Sequence, residues 1–190
     1  MRLQISPIGL LALALLTPGA IRAQQASATK IVPPSAGPKA TDSQESAQPK
    51  DTLLLTAGSN HAPIAISLAD FRALPHVTIA VHNAHANADQ TYSGVSLAVL
   101  LAKLDAPLGE HLRGKALASY IVASGSDGYS VVLSIAEVDP SLHGGEILVA
   151  DTRDGQPLAK SGPFQLIVSA DKRPARWVHN LVSISLQFLP

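Results

Sequence analysis

The chain has 190 residues, 46% of them hydrophobic, with 14 basic and 14 acidic residues and no cysteine. That balance gives it no general electrostatic attraction to nucleic acid or to anionic membranes. The absence of cysteine excludes thiolate nucleophiles, thiolate metal ligands and disulfide staples, so the core must hold the fold by itself.

Arg2, an apolar run from Ile8 to Leu16 and a small-residue exit near Ala23 read as a secretory signal peptide over residues 1–23. The run is well short of the roughly 20 apolar residues that span a bilayer, so no membrane span is expected after cleavage. There is no twin-arginine pair, which points to a Sec-type route, a periplasmic or secreted destination, and ligand uptake after translocation. Cleavage leaves 12 basic and 14 acidic residues. Residues 24–51, rich in Ala, Ser, Gln, Pro and Lys, bury too little apolar surface to order themselves and read as a linker. Residues 52–190 suffice for one domain.

Along that domain, Leu53–Leu55 and Ile64–Ile66 read as short strands. Ser67 with Asp70 predicts a capped helix through Leu74, stopped by Pro75. His76–His82 alternates and is β-branched, hence a strand; Asn83–Gln90 is polar and reads as a loop. Ser96 is the expected N-cap of a helix over Leu97–Leu104, and Leu108–Arg113 a helical turn. Ala116–Ala123 and Tyr129–Ile135 read as a hairpin closed by Ser124–Gly128. A loop over Glu137–His143, a strand over Glu146–Ala150 and a turn around Asp154-Gly155 follow. Phe164–Val168 reads as a buried strand, Asp171–Arg176 as a basic loop, and Trp177–Phe188 as one long strand. Asn180 and Leu181 break the alternation of that last strand. Eight or so short strands with two or three short helices predict a single α+β domain.

The ordered segments LADFRALP, TYSGVSLAVLLAKL, YIVASGSDGYSVVLSIAEVDP, ILVADTRDGQPL and GPFQLIVSADKRPARWVHNLVSI resemble the molybdopterin-binding domain of the sulfite-oxidase superfamily, most of all its small exported stand-alone members. The resemblance covers nearly all of residues 52–190 and implies a mixed β-sheet fold with a pterin-dithiolene cofactor in a cleft between sheets. In catalytic members molybdenum transfers an oxygen atom and is held by one cysteine. The matching position falls near Val81 or His82, and the chain has no cysteine at all. Imidazole does not reproduce the anionic sulfur that tunes such a centre. An arginine that grips the pterin phosphate in relatives is matched by Gln165, and the cation after the Arg-Trp pair by His179; Arg176 keeps its place.

Two readings stay open for Lys172, Arg173 and Arg176: a solvated turn whose cations pair with nearby acids, or an anion site. Ser124–Tyr129 is a hairpin turn with Asp-Gly chemistry that, by the resemblance, lies beside the cofactor cleft. His82 and His85 with Asp89 are a weak metal signal beside ordinary loop histidines. Trp177 reads as a core or cleft wall, and Ser96 as a cap rather than a nucleophile. Glu137 and Asp139 read as part of a turn opened by Asp139-Pro140. The expected site residues are His82, Asp127, Tyr129, Lys172, Arg173, Arg176 and His179, with no catalytic residue and no metal ligand. The expected role is a non-redox binding module for a small anion or a periplasmic protein partner. A molybdopterin-dependent oxidoreductase and a metal-binding accessory protein are the alternatives. Molybdopterin is the one cofactor the resemblance implies.

Overall fold

In a computed structural model that describes residues 51–58 and 61–189, strict alternation sets the first sheet. Strand β1 (Thr52–Ala57) buries Leu53, Leu55 and Ala57 and turns Thr52, Leu54 and Thr56 outward. It lies antiparallel to β2 (Ile64–Ser67) and parallel to β10 (Leu181–Gln187), which pairs with β5 (Tyr120–Gly125) and, through it, with β6 (Ser130–Ser134). This first sheet therefore has the order β2-β1-β10-β5-β6.

The second sheet runs β3 (Val77–Asn83), β4 (Ala88–Ser96), β7 (Ile147–Arg153) and β8 (Gln156–Pro157), with β9 (Gln165–Val168) also paired to β7. Gly94 sits where β4 crosses β7: a Cβ there would lie 2.0 Å from the Val149 carbonyl oxygen. Three helices of one to two turns, α1 (Leu68–Arg72), α2 (Leu97–Ala102) and α3 (Ile135–Val138), decorate a mostly β domain. Ser67 caps α1 as expected, accepting from the Asp70 N–H at 3.1 Å. Arg72 at the end of α1 reaches the buried Asp151 of β7, Nε to Oδ2 3.3 Å. One continuous apolar core joins the buried faces of both sheets, with Phe71 edge-on to Phe164 and Tyr92 edge-on to Trp177.

Several local expectations are corrected. The segment Ala88–Ser96 is a strand, not a loop leading to a cap: it makes seven register pairs with β3. Ser96 makes no side-chain cap bond. Residues Ile135–Val138 form a helical turn closed by a capping box, in which Glu137 Oε2 accepts the Ser134 N–H at 2.9 Å and Ser134 Oγ accepts the Ala136 N–H at 3.3 Å. The long final strand is two pieces. Val178 bridges Leu166 of the second sheet, Asn180 takes φ +47°, and only from Leu181 does the chain run in the first sheet. The chain thus changes sheets across His179 and Asn180. The signal peptide expected over residues 1–23 and the linker expected over residues 24–51, its last residue apart, lie outside the described residues.

Candidate functional site

That change of sheets builds a cavity of about 580 Å³ lined by Asn83, His85, Gln90, Asp127, Tyr129, Arg153, Ala175, Trp177 and His179, among others. Four segments converge on it: the β3–β4 turn, the β5–β6 turn, the end of β7, and the 3₁₀ turn Pro174–Arg176 with the crossover that follows. Gly125 lets the β5–β6 turn lie against the crossover, since a Cβ there would come 2.7 Å from the His179 carbonyl oxygen. The Ser126 N–H then donates to the Asn180 carbonyl at 2.9 Å. With its amide nitrogen turned inward, Asn180 donates to the carbonyls of Gly162 (2.7 Å) and Lys160 (3.3 Å). His179 is held by the main chain around it.

Inside, some polar groups hold one another and others are left over. The Gln90 amide oxygen accepts from Asn83 Nδ2 at 2.8 Å and from the Tyr92 hydroxyl at 2.9 Å. Asn83 Oδ1 accepts the N–H groups of His85 and Ala86, fixing the turn. Asp127 Oδ1 accepts the Tyr129 N–H at 2.9 Å, and the Tyr129 hydroxyl donates to the Ala175 carbonyl. Among the described residues, the imidazoles of His85 and His179 and the Gln90 amide nitrogen have no hydrogen-bond partner. The guanidinium of Arg153 makes a long 3.9 Å contact with Asp154 and lies beside the Tyr92 hydroxyl, leaving most of its donors unspent. A neighbouring hollow of about 440 Å³, lined by Lys160 and Ser161, shares Arg153 and His179 with the first.

Burial pushes the His179 imidazole below its ordinary value, with Asp127 opposing and Arg153 reinforcing. The Tyr92 hydroxyl is pushed up by burial against the pull of Arg153.

The seven residues expected from the sequence do not share one cleft. Asp127, Tyr129 and His179 line the cavity. His82 faces away from it: it is paired across the β3–β4 ladder with Asp89, Nδ1 to Oδ1 2.8 Å, on the exposed side of the strand. Its neighbour Asn83 faces the cavity in its stead. Lys172 and Arg173 are exposed and lie outside the cavity lining. Arg176 spends its fork on two carboxylates, Nε and Nη2 on Asp171 (2.9 and 2.6 Å) and Nη1 on Glu137 (2.8 Å). Those hydrogen bonds raise the already high Arg176 value further. Of the two readings of the basic loop, the paired one describes Arg176. Its task is to pin the 3₁₀ turn that carries Ala175, a wall of the cavity. Sequence reasoning missed Arg153 and Gln90, and weighed His85 only as a metal ligand or an ordinary loop histidine. The signal for Arg153 was its place at the end of a strand just before an Asp-Gly turn.

The donor set does not fit a molybdenum centre held as in the resembled family. There is no thiolate, His82 points outward, and Gln165 is 1% exposed with neither amide atom partnered rather than free to grip a phosphate. Among the described residues no group of three or more His, Asp or Glu has metal-binding geometry.

No family model matches the chain, and no curated protein matches it. Among solved structures it is similar to the sulfane dehydrogenase SoxCD from Paracoccus pantotrophus, with a TM-score of 0.56 and 18% identity over 73% of this chain. The chain spans 39% of that chain's length. The likeness is one of fold alone.

Proposed function

We propose that this domain is a redox-silent receptor whose cavity binds a small organic or inorganic anion. One observation carries the reading: the unspent groups at the cavity are mostly donors. Arg153, His85, His179 and the Gln90 amide nitrogen face it, with Lys160 in the adjoining hollow. A single carboxylate, Asp127, opposes them, and one of its oxygens already accepts the Tyr129 N–H. An anion entering here exchanges water for charge-assisted hydrogen bonds from several donors that converge on one hollow. Tyr129 and Trp177 supply apolar wall beside those donors, suited to the carbon frame of an organic anion. Arg153 would grip the charge, His179 would add a proton-dependent second donor, and Gln90 would orient the ligand.

The test is calorimetric titration with sulfite, sulfate, phosphate and a panel of small sulfonates and carboxylates. At least one should bind, and Arg153→Gln should weaken it roughly ten- to hundredfold, the value of a charge-assisted contact. Absence of binding across the panel, or binding that Arg153→Gln leaves untouched, overturns the reading.

The fold likeness favours a second reading, a molybdopterin-dependent oxidoreductase of the sulfite-oxidase type. The donor set argues against it, since no anionic sulfur is present to hold the metal. Export to the periplasm belongs to the same proposal and rests on the signal-peptide pattern of residues 1–23.

A further inference from the structure

The first sheet has a second face that the core does not use. On each of its five strands the residues opposite the buried ones point away from the core. None of these outward positions carries Asp, Glu, Lys, Arg or His. They are Thr52, Leu54 and Thr56 on β1, Ala65 and Ser67 on β2, and Tyr120, Val122 and Ser124 on β5, followed by Ser130, Val132 and Ser134 on β6 and Ser183, Ser185 and Gln187 on β10. An exposed sheet face usually carries charge, especially lysine, to keep other proteins off. Here Leu54, Tyr120 and Val122 stand in mid-sheet, and Val132 on the edge strand is 58% exposed.

Five of the nine hydroxyls of this face are already partnered. Ser130 Oγ donates to Ser124 Oγ across the hairpin at 2.8 Å, and Gln187 Nε2 donates to Ser185 Oγ at 2.6 Å. Ser67 and Ser134 are engaged as helix caps. Burying such a face desolvates no charge, which removes the largest penalty for covering a polar surface, and the hydroxyls of Thr52, Thr56, Tyr120 and Ser183 are left to bond across the contact.

We propose that this uncharged face is an interface on which a second copy of the chain docks, sheet against sheet. A second copy is favoured by charge matching. An uncharged partner surface is required, and an isologous two-fold contact sets this face against itself with neither like-charge repulsion nor an unpaired ion. The dimensions agree. Five strands spaced about 4.8 Å apart and four to seven residues long make a flat patch of roughly 450 Å² in projection. Two such patches cover on the order of 1,000 Å² in total, at the threshold of a specific interface, so the dimer should dissociate on dilution. The proposal is independent of what the cavity binds.

Sedimentation velocity of the purified chain over a micromolar concentration range tests it. The expected result is a reversible monomer–dimer equilibrium that Val132→Lys and Ser185→Lys each shift at least tenfold toward monomer, with melting temperatures close to the parent's. A chain monomeric across the range overturns the proposal, whether another protein or the chain's own N-terminal segment covers the face. So does a dimer indifferent to both substitutions, which would place the contact elsewhere. Should a lysine variant fail to fold, a second probe remains. The chain has no cysteine, so Ser185→Cys introduces a single spin-label site on the central strand. Dipolar spectroscopy should then give one short label-to-label distance, and a spectrum without any inter-label distance rules the interface out.

Discussion

Arg176 Nη1 donates to Glu137 Oε1 at 2.8 Å, joining the last 3₁₀ turn to helix α3 across 39 residues of sequence. The same guanidinium bonds Asp171 twice, so one side chain ties three segments around the cavity wall. Lys172 and Arg173, four and three residues earlier, tie nothing among the described residues. The three cations of this loop are therefore unequal. Arg176→Ala should lower stability by about 1–2 kcal/mol, discounted for partial exposure, and the melting temperature by a few degrees. Arg173→Ala should leave the melting temperature within error. Thermal unfolding monitored by circular dichroism checks both.

Acid should loosen the same corner. Burial alone would raise the Glu137 carboxyl, but the Arg176 hydrogen bond and the Ser134 N–H hold it below its ordinary value. Asp139 is held low by the Ser141 hydroxyl and the Gly109 N–H against its burial. For a carboxyl depressed on folding, the stabilisation is complete above its unfolded value and is lost as pH falls through its folded value. The contribution of these two carboxyls should thus be flat from neutrality to about pH 5 and fall below the ordinary carboxylate range, near pH 4. Glu137→Gln and Asp139→Asn should each make that fall shallower in urea titrations run from pH 7 to pH 3.

His179 makes anion binding depend on protons. Burial holds its imidazole below the ordinary value, so the empty cavity keeps it neutral at pH 7. An anion favours the charged form, and binding should therefore take up a proton. Affinity should rise as pH is lowered from 7.5 to 5.5, and His179→Gln should flatten that dependence while Arg153 still sets the level. Calorimetry in buffers of different ionisation enthalpy reads the proton uptake directly.

Gly94 should tolerate no side chain. A Cβ would meet the Val149 carbonyl oxygen at 2.0 Å and the Ala150 Cα at 2.6 Å, both backbone atoms of the neighbouring strand. Gly94→Ala should cost about 3 kcal/mol or more, or prevent folding, because the ladder itself must open. Soluble yield and urea midpoint check this against Gly144→Ala, whose Cβ would meet nothing within 4 Å.

The fold was legible wherever alternation was strong. The strands around Leu53–Leu55, Ile64–Ile66 and Val77–Val81 follow from period-two burial, and the Asp127-Gly128 turn from its own chemistry. Strand β4 was hidden because ADQTYSGVS offers few apolar residues and owes its place to neighbours on both sides. Helix α3 was hidden because its capping box spans only one turn. The break at Asn180 did leave a trace, as the interruption of alternation at Asn180 and Leu181, but pattern alone cannot tell a bulge from a crossing between sheets. For the site, Asp127, Tyr129 and His179 were within reach of motif reading. His82 was misplaced by a single residue, which in a strand exchanges one face for the other and puts Asn83 at the cavity. Arg153 and Gln90 come together only through the pairing of β4 with β7, a long-range contact that no local pattern encodes.

The most direct measurement is metal and pterin content. The chain should be purified from a molybdenum-replete host, with molybdenum determined by mass spectrometry and the absorbance scanned for pterin. The expected result is molybdenum far below one equivalent in a protein that still binds an anion through Arg153. One equivalent of molybdenum, retained through gel filtration together with pterin absorbance, would contradict a redox-silent receptor.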